Sequence, residues 1–216
     1  MNSEVRDGIR AGLPFAVAAV LLGTSFGILA RPVLGATATI VMSVVVFAGA
    51  AQFAAVAVLA AGGGAAAAIV AGILLNTRFL PMGIAIAPSL PGGPWRRAAQ
   101  GQALVDASWA VASLGKGRFD HRLLLGATIP QYPGWVVGTV LGVVFGDLIG
   151  NPAKLGLNAI FPALFLALLV GEMRDRRTAG VALVGAAIAL ALVPVVPAGL
   201  PVVAASLVAL AGLRRG

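Results

Sequence analysis

The stretch AAAAIVAGILLNTRFLPMGIAIA, at positions 65–87, decides the class of fold. It is long and apolar enough to cross a bilayer as a helix. Arg78 lies nine residues from its end, roughly 13 Å deep, where an unpaired arginine costs at least ~2.5 kcal/mol. Pro81 has no amide hydrogen, so the carbonyl of Thr77 is expected to lose its usual donor. In a membrane such defects occur beside protein or a water-filled cavity, so we predict a broken helix at a ligand site.

The composition places the whole chain in the membrane. Hydrophobic residues make up 60% of it, charged residues 10%, and the mean hydropathy is +1.02. These values predict an all-α, polytopic membrane protein, with residues 1–216 forming a single transmembrane permease domain. The formal net charge of +8 falls mostly in short loops, which is typical of topology determinants facing anionic lipid. We therefore expect a lipid bilayer and no nucleic acid as a partner.

The hydropathy pattern predicts about seven or eight transmembrane helices. Seven applies if the last two segments form a hairpin. Pro130 and Pro133 predict a kink or a re-entrant break in the fifth segment. The predicted spans are approximately 11–30, 39–61, 65–87, 98–115, 123–149, 155–171, 178–195 and 199–213.

The distribution of basic residues predicts a cytoplasmic amino terminus. Eight crossings place most Lys and Arg residues on the inner side, as the positive-inside rule requires. The basic residues left on the outer side are Arg31, Arg96, Arg97 and Lys154.

A short internal echo suggests duplicated halves. The segment GTSFG at 23–27 precedes Pro32, and GVVFG at 142–146 precedes Pro152. In transporters built from repeats, binding sites form where broken helices of the two halves meet.

Four segments resemble the AzlC family, the large subunits of bacterial branched-chain amino-acid exporters. They are FAGAAQF at 47–53, LNTRF at 75–79, DASW at 106–109 and LNAIFPALF at 157–165. The resemblance implies a multi-pass plasma-membrane permease that exports branched-chain and other apolar amino acids against protons. It also implies a small hydrophobic partner subunit of the AzlD type. The family pattern often has Asp-Glu where this chain has Asp106-Ala107, and Asp where it has Asn158, which leaves substrate range and coupling ion open.

The candidate substrate site follows from the chemistry of an amino-acid zwitterion. Arg78 offers a planar fork matched to a carboxylate, and Asp106 offers an acceptor for the ammonium group. In the empty state the two are expected to pair with each other, and protonation of Asp106 would release the ammonium. Phe53 and Phe79 are candidates for holding the aliphatic side chain. The remaining polar candidates are Gln52, Asn76, the Thr77 carbonyl and Asn158.

Each of these residues also has a structural interpretation. Arg78 could clamp neighbouring carbonyls, Asp106 could be its counter-ion, and the uncharged polar residues could hold helices together. Among function classes, the alternatives are a channel or an uptake permease for another small zwitterion or anion, an intramembrane enzyme, and an auxiliary subunit. The sequence shows no constellation that an enzyme needs, no cofactor is expected, and an auxiliary subunit has no reason to keep Arg78.

Overall fold

The computed structural model describes residues 3–149 and 176–195 and the single positions 166, 170 and 204. The all-α prediction is confirmed, because only one short hairpin, β1 (Ser113–Gly115) with β2 (Arg118–Phe119), interrupts the helices described. Apart from those single positions, the predicted spans 155–171 and 199–213, with Asn158, lie outside the described residues. The helices are α1 Ser3–Leu34, α2 Ala36–Val46, α3 Gly49–Ala60, α4 Ala65–Asn76, α5 Phe79–Ile86, α6 Pro94–Gly101, α7 Asp106–Ala112, α8 His121–Ile149 and α9 Arg176–Leu192.

The two longest helices, α1 and α8, lie side by side and run parallel. Residues later in α1 contact residues later in α8: Gly8 faces the carbonyl of Leu123, and Gly27 faces the carbonyl of Thr139. A Cβ atom on Gly8 would lie 2.7 Å from the Leu123 oxygen. Only residues without a side chain permit backbones to approach so closely.

Ion pairs clamp the α1–α8 pair at both ends. Arg122 at the start of α8 lies 3.4 Å from Glu4, and Arg31 near the end of α1 lies 3.2 Å from Asp147. Arg31 also donates to the carbonyl of Val143 at 2.9 Å.

The contacts in the middle of this pair repeat symmetrically. Gly23 faces the Trp135 carbonyl while Gly138 faces that of Val20, and Gly27 and Gly142 face the carbonyls of Thr139 and Thr24. Each threonine hydroxyl donates to the carbonyl four residues back in its own helix, at 2.8 Å and 3.0 Å. The equivalent segments are therefore GTSFG at 23–27 and GTVLG at 138–142, one turn before the predicted echo at 142–146. A local two-fold axis along the helices relates them.

Helices α2 and α3 form a hairpin that enters the bundle and turns back. Helix α2 runs antiparallel to α8. The Ser43 hydroxyl lies 2.8 Å from that of Thr139, whereas the next residue, Val44, accepts a hydrogen bond from Tyr132, which precedes Thr139 in α8. Phe47 then adopts a left-handed backbone with φ 38°. Beyond it, Gln52 Nε2 lies 3.4 Å from Ser43 Oγ. Residues so far apart in one continuous helix would be separated by roughly 13 Å.

The prediction of a single crossing over 39–61 is therefore wrong. The chain reverses at 47–48, and α3 returns to the end of the bundle where α1 finishes. There a turn leads into α4, which packs antiparallel to α3, with Gly72 beside Ala51.

The predicted interruption beside Arg78 is confirmed, but its hydrogen bonding differs from the expectation. Helix α4 ends at Asn76 and α5 begins at Phe79. The Thr77 carbonyl accepts a hydrogen bond from the amide of Leu80 at 3.0 Å. The expected open carbonyl at Thr77 is wrong because a tighter 3₁₀-type bond replaces the one that Pro81 cannot make.

Helices α4 and α5 together traverse the bundle. The end of this segment packs beside the start of α8, where Ile86 and Leu90 contact Leu124. Residues 65–89 and 3–34 are the two described stretches that are long and apolar enough to cross a membrane by length and composition.

The predicted span at 98–115 is also wrong. Residues 94–119 form two short helices and the β-hairpin, and the seven residues of α7 cover only about 10 Å. Ala103 accepts a hydrogen bond from Thr128 at 2.7 Å, and Ala112 packs against Leu124. The segment therefore enters and leaves at the end of the bundle where α8 begins.

Helix α8 is continuous through Pro130 and Pro133, so the predicted break there is wrong. A proline inside a helix costs about 3 kcal/mol in isolation. The contact with α1 extends along both sides of the two prolines and holds the backbone helical.

The hairpin of α2 and α3 predicts a distinctive labelling pattern. The chain has no cysteine, so single cysteines can be introduced at the exposed positions Ala36, Ala61 and Arg118. With a membrane-impermeant maleimide, Ala36→Cys and Ala61→Cys should react from the same face, and Arg118→Cys from the other. Labelling of the first two from opposite faces would show that residues 39–61 cross the membrane.

Candidate functional site

A cavity of about 80 Å³ lies halfway along α1 and α8. Three irregular stretches of backbone surround this space. They are the reversal between α2 and α3, the break between α4 and α5, and the start of α7. Its lining consists of Phe15, Ala19, Leu22, Phe47, Ala48, Gly49, Ala50, Arg78, Phe79, Val105, Asp106, Ala107, Gln131 and Trp135.

Arg78 and Asp106 form a bidentate ion pair at this cavity. The Nε–Oδ1 distance is 3.0 Å and the Nη2–Oδ2 distance is 2.9 Å. Nη1 donates to the carbonyl of Leu75 at 2.9 Å, and the guanidinium carbon lies 4.7 Å from the Phe79 ring centroid. The predicted pairing is confirmed. It compensates both charges while leaving the side chains 16% and 23% exposed, within reach of a ligand.

The first turn of α3 presents backbone amides to the same cavity. The amides of Gly49, Ala50 and Ala51 have no hydrogen-bond partner within the described part of the chain. The preceding residue is fixed differently, since the Ala48 amide donates to Gln52 Oε1 at 3.3 Å and its carbonyl accepts from the Gln52 amide at 3.0 Å. Amides at the start of a helix carry a partial positive charge.

The other predicted polar residues that the structure describes do not line the cavity. Gln52 is fully buried and bonds to Ser43 and Ala48, so it positions the start of α3. The Thr77 hydroxyl donates to the carbonyl of Leu74. The side-chain oxygen of Asn76 is buried without a partner among the described residues. Asn158 lies outside those residues.

The aromatic residues divide between the cavity and the core behind it. Phe79 lines the cavity as predicted, whereas Phe53 packs against Phe26 and Trp135, with ring centroids 5.5 Å and 6.4 Å away. Gln131, which lies between the two prolines of α8, lines the cavity with its amide donating to the Ala127 carbonyl at 2.8 Å.

The sequence did not identify Phe15, Phe47, Trp135 or the start of α3 as part of the site. Trp135 packs at the centre, stacked on Phe26 with ring centroids 5.8 Å apart. The only sequence feature that marks the start of α3 is the run of small residues at 48–51, which leaves its amides uncovered.

Comparison with known proteins identifies the family. The sequence model of the AzlC protein family matches residues 14–149, which include most of α1, all of α8 and every residue that lines the cavity. The chain belongs to the AzlC family. No solved structure matches the chain significantly.

Relatives of this family occur in bacteria and archaea. The branched-chain amino acid transport protein AzlC of Bacillus subtilis is 22% identical, over 82% of this chain and 72% of its own length. An uncharacterised membrane protein of Archaeoglobus fulgidus is 30% identical, over 88% of this chain and 85% of its own. An uncharacterised membrane protein of Helicobacter pylori is 23% identical, over 79% and 76%. A membrane location and a connection with amino-acid transport follow from these matches.

The ion pair predicts unequal effects of removing its two members. Asp106→Asn removes the carboxylate that pairs with Arg78 and should destabilise the protein by about 1–3 kcal/mol, less than the loss of a fully buried pair because both side chains are partly exposed. Arg78→Gln should cost less, because the remaining carboxyl group can bind a proton. The double variant should be more stable than Asp106→Asn alone. Thermal unfolding of the solubilised protein measures all three, and strictly additive effects would show that the pair is not coupled.

Proposed function

We propose that this chain exports branched-chain and other apolar amino acids across the bacterial plasma membrane in exchange for protons. The observation that carries the proposal is the bidentate pair of Arg78 and Asp106 in a cavity where broken helices meet. Intramembrane ionisable residues in such a position mark transport pathways. The name of the Bacillus subtilis relative supports the substrate class.

The cavity suits a zwitterion with an apolar side chain. The ammonium group binds the carboxylate of Asp106, and the carboxylate of the substrate binds the guanidinium of Arg78, so one ion pair is exchanged for two. The aliphatic side chain lies against the apolar part of the lining, which consists of Phe15, Leu22, Phe47 and Phe79.

Protonation of Asp106 supplies the coupling. A neutral carboxyl group no longer attracts the ammonium group, so proton binding from the outer side favours release of the substrate there. The return of Asp106 to its charged form on the inner side restores the pair with Arg78 and readies the site for the next substrate.

The basic residues orient the protein with a cytoplasmic amino terminus. Arg96 and Arg97, which were predicted to lie outside, belong to the end of the bundle where α8 begins, because Gln100 of their helix bonds to Pro91 beside that end. Arg31 lies at the opposite end. The basic residues at the proposed inner end are Arg6, Arg10, Arg96, Arg97, Lys116, Arg118 and Arg122.

In this arrangement residues 3–149 cross the membrane three times: through the two long apolar stretches, α1 and α4 with α5, and through α8, which lies alongside α1 over most of its length. The two hairpins at 36–60 and 94–119 enter from opposite faces without crossing. The prediction of about seven or eight spans placed five of them in this region, two more than this arrangement has. All three crossings belong to one permease domain.

A small AzlD-type membrane subunit is the proposed partner, and the family relationship supports it. The glycine face of α1 is covered by α8. The partner must therefore use another surface. We expect the chain reconstituted with this subunit to export leucine faster than the chain alone, measured in proteoliposomes at equal protein content. Equal rates would show that the subunit is dispensable.

Export from cells tests the site. In cells fed a leucine-containing dipeptide, expression of the chain should lower intracellular leucine. Arg78→Lys should weaken export because lysine lacks the planar fork, and Asp106→Asn should abolish the dependence of export on external pH. Asp147→Asn is the matched control, since its carboxylate pairs with Arg31 far from the cavity.

Normal export with an unchanged pH profile in both cavity variants would contradict the proposed site. Leucine export that is equal with and without the chain would contradict the proposed function.

A further inference from the structure

We infer that the first turn of α3 and the indole of Trp135 together form a carboxylate subsite. The inference rests on the proposed function and specifies which end of the substrate lies where. It adds donors from two further elements to the single fork of Arg78.

The amides of Gly49, Ala50 and Ala51 are the first part of the subsite. They begin a helix of 12 residues, line or adjoin the cavity, and have no partner within the described residues. A helix start with free amides favours a bound anion through both hydrogen bonds and the helix dipole. The left-handed backbone of Phe47 and the hydrogen bond from the Ala48 amide to Gln52 Oε1 set the direction in which these amides point.

Trp135 is the second and independent part. Its side chain lines the same cavity and the residue is only 4% exposed, yet its Nε1–H has no partner among the described residues. An indole nitrogen only donates, so the atom that satisfies it must be an acceptor. Stacking against Phe26 and edge contact with Phe53 hold the ring in place.

These donors add to the guanidinium group of Arg78, which already donates to Asp106. Both guanidinium donors that face Asp106 are engaged, whereas the helix amides and the indole have no partner among the described residues. A carboxylate offers about four lone-pair sites, so it can accept hydrogen bonds from α3 and Trp135 as well as from the guanidinium of Arg78. The ammonium group then lies toward Asp106, and ligands without a carboxylate lose the contacts with α3 and Trp135.

Competition binding to the purified full-length chain tests this assignment. The probes are leucine, 4-methylpentanoate, which lacks the amino group, and 3-methylbutylamine, which lacks the carboxylate, each displacing labelled leucine. Trp135→Phe keeps the aromatic packing and removes the donor. This variant should weaken the binding of leucine and of 4-methylpentanoate at least about tenfold, the typical effect of losing a hydrogen bond to a charged group. The affinity for 3-methylbutylamine should not change.

Trp109→Phe is the matched control. Trp109 also has a buried Nε1–H without a partner in the described part of the chain, but it packs against Phe119 away from the cavity. This variant should bind all three probes like the wild type.

Gly49→Pro provides a second, independent variant. It removes one amide at the first helical position, where proline is tolerated. It should weaken the binding of leucine and 4-methylpentanoate and leave the binding of 3-methylbutylamine unchanged.

The outcomes separate this inference from the proposed function. Wild-type protein that fails to bind leucine overturns the proposed function. Leucine binding that is unaffected by both Trp135→Phe and Gly49→Pro, or weakened equally for all three probes, overturns the carboxylate subsite alone.

Discussion

The parallel contact between α1 and α8 is the constraint on which the rest of the structure depends. Glycines on each helix face backbone carbonyls of the other along most of their length, and ion pairs close both ends. Parallel helices cannot be joined by a short loop. The intervening segment must therefore travel the length of the bundle an odd number of times, and here it does so once, through α4 and α5. The two half-length hairpins fill the space that remains.

Those hairpins explain how a deeply placed Arg78 is tolerated. One brings the start of α3 to the centre from one end, and the other brings Asp106 at the start of α7 from the opposite end. Irregular backbone is acceptable at membrane depth only when it is buried in protein or lines a cavity, and both hairpin tips satisfy that condition. The result is a neutral ion pair beside helix amides and an indole that have no partner in the described part of the chain, and we propose that this arrangement binds a neutral zwitterion.

The sequence predicted the parts of this site whose physical cause is local. An arginine in an apolar helix requires a partner, and Asp106 was identified because few acidic residues lie inside apolar segments. The reversal at Phe47 could not be predicted, because residues 39–61 are mostly apolar and their periodicity cannot distinguish one crossing helix from two buried half-helices. Residues 98–115 were misassigned for a different reason. Their course depends on tertiary contacts of Ala103 and Ala112 with α8, which no local pattern encodes.

The central claim is that the substrate binds at the meeting point of these broken helices. An experimentally determined structure with leucine bound tests it most directly. The account predicts density for leucine between the start of α3, Arg78 and Asp106, with its carboxylate toward α3 and Trp135 and its amino group toward Asp106. Leucine bound elsewhere, or a continuous helix over residues 39–61 that closes the cavity, would contradict it.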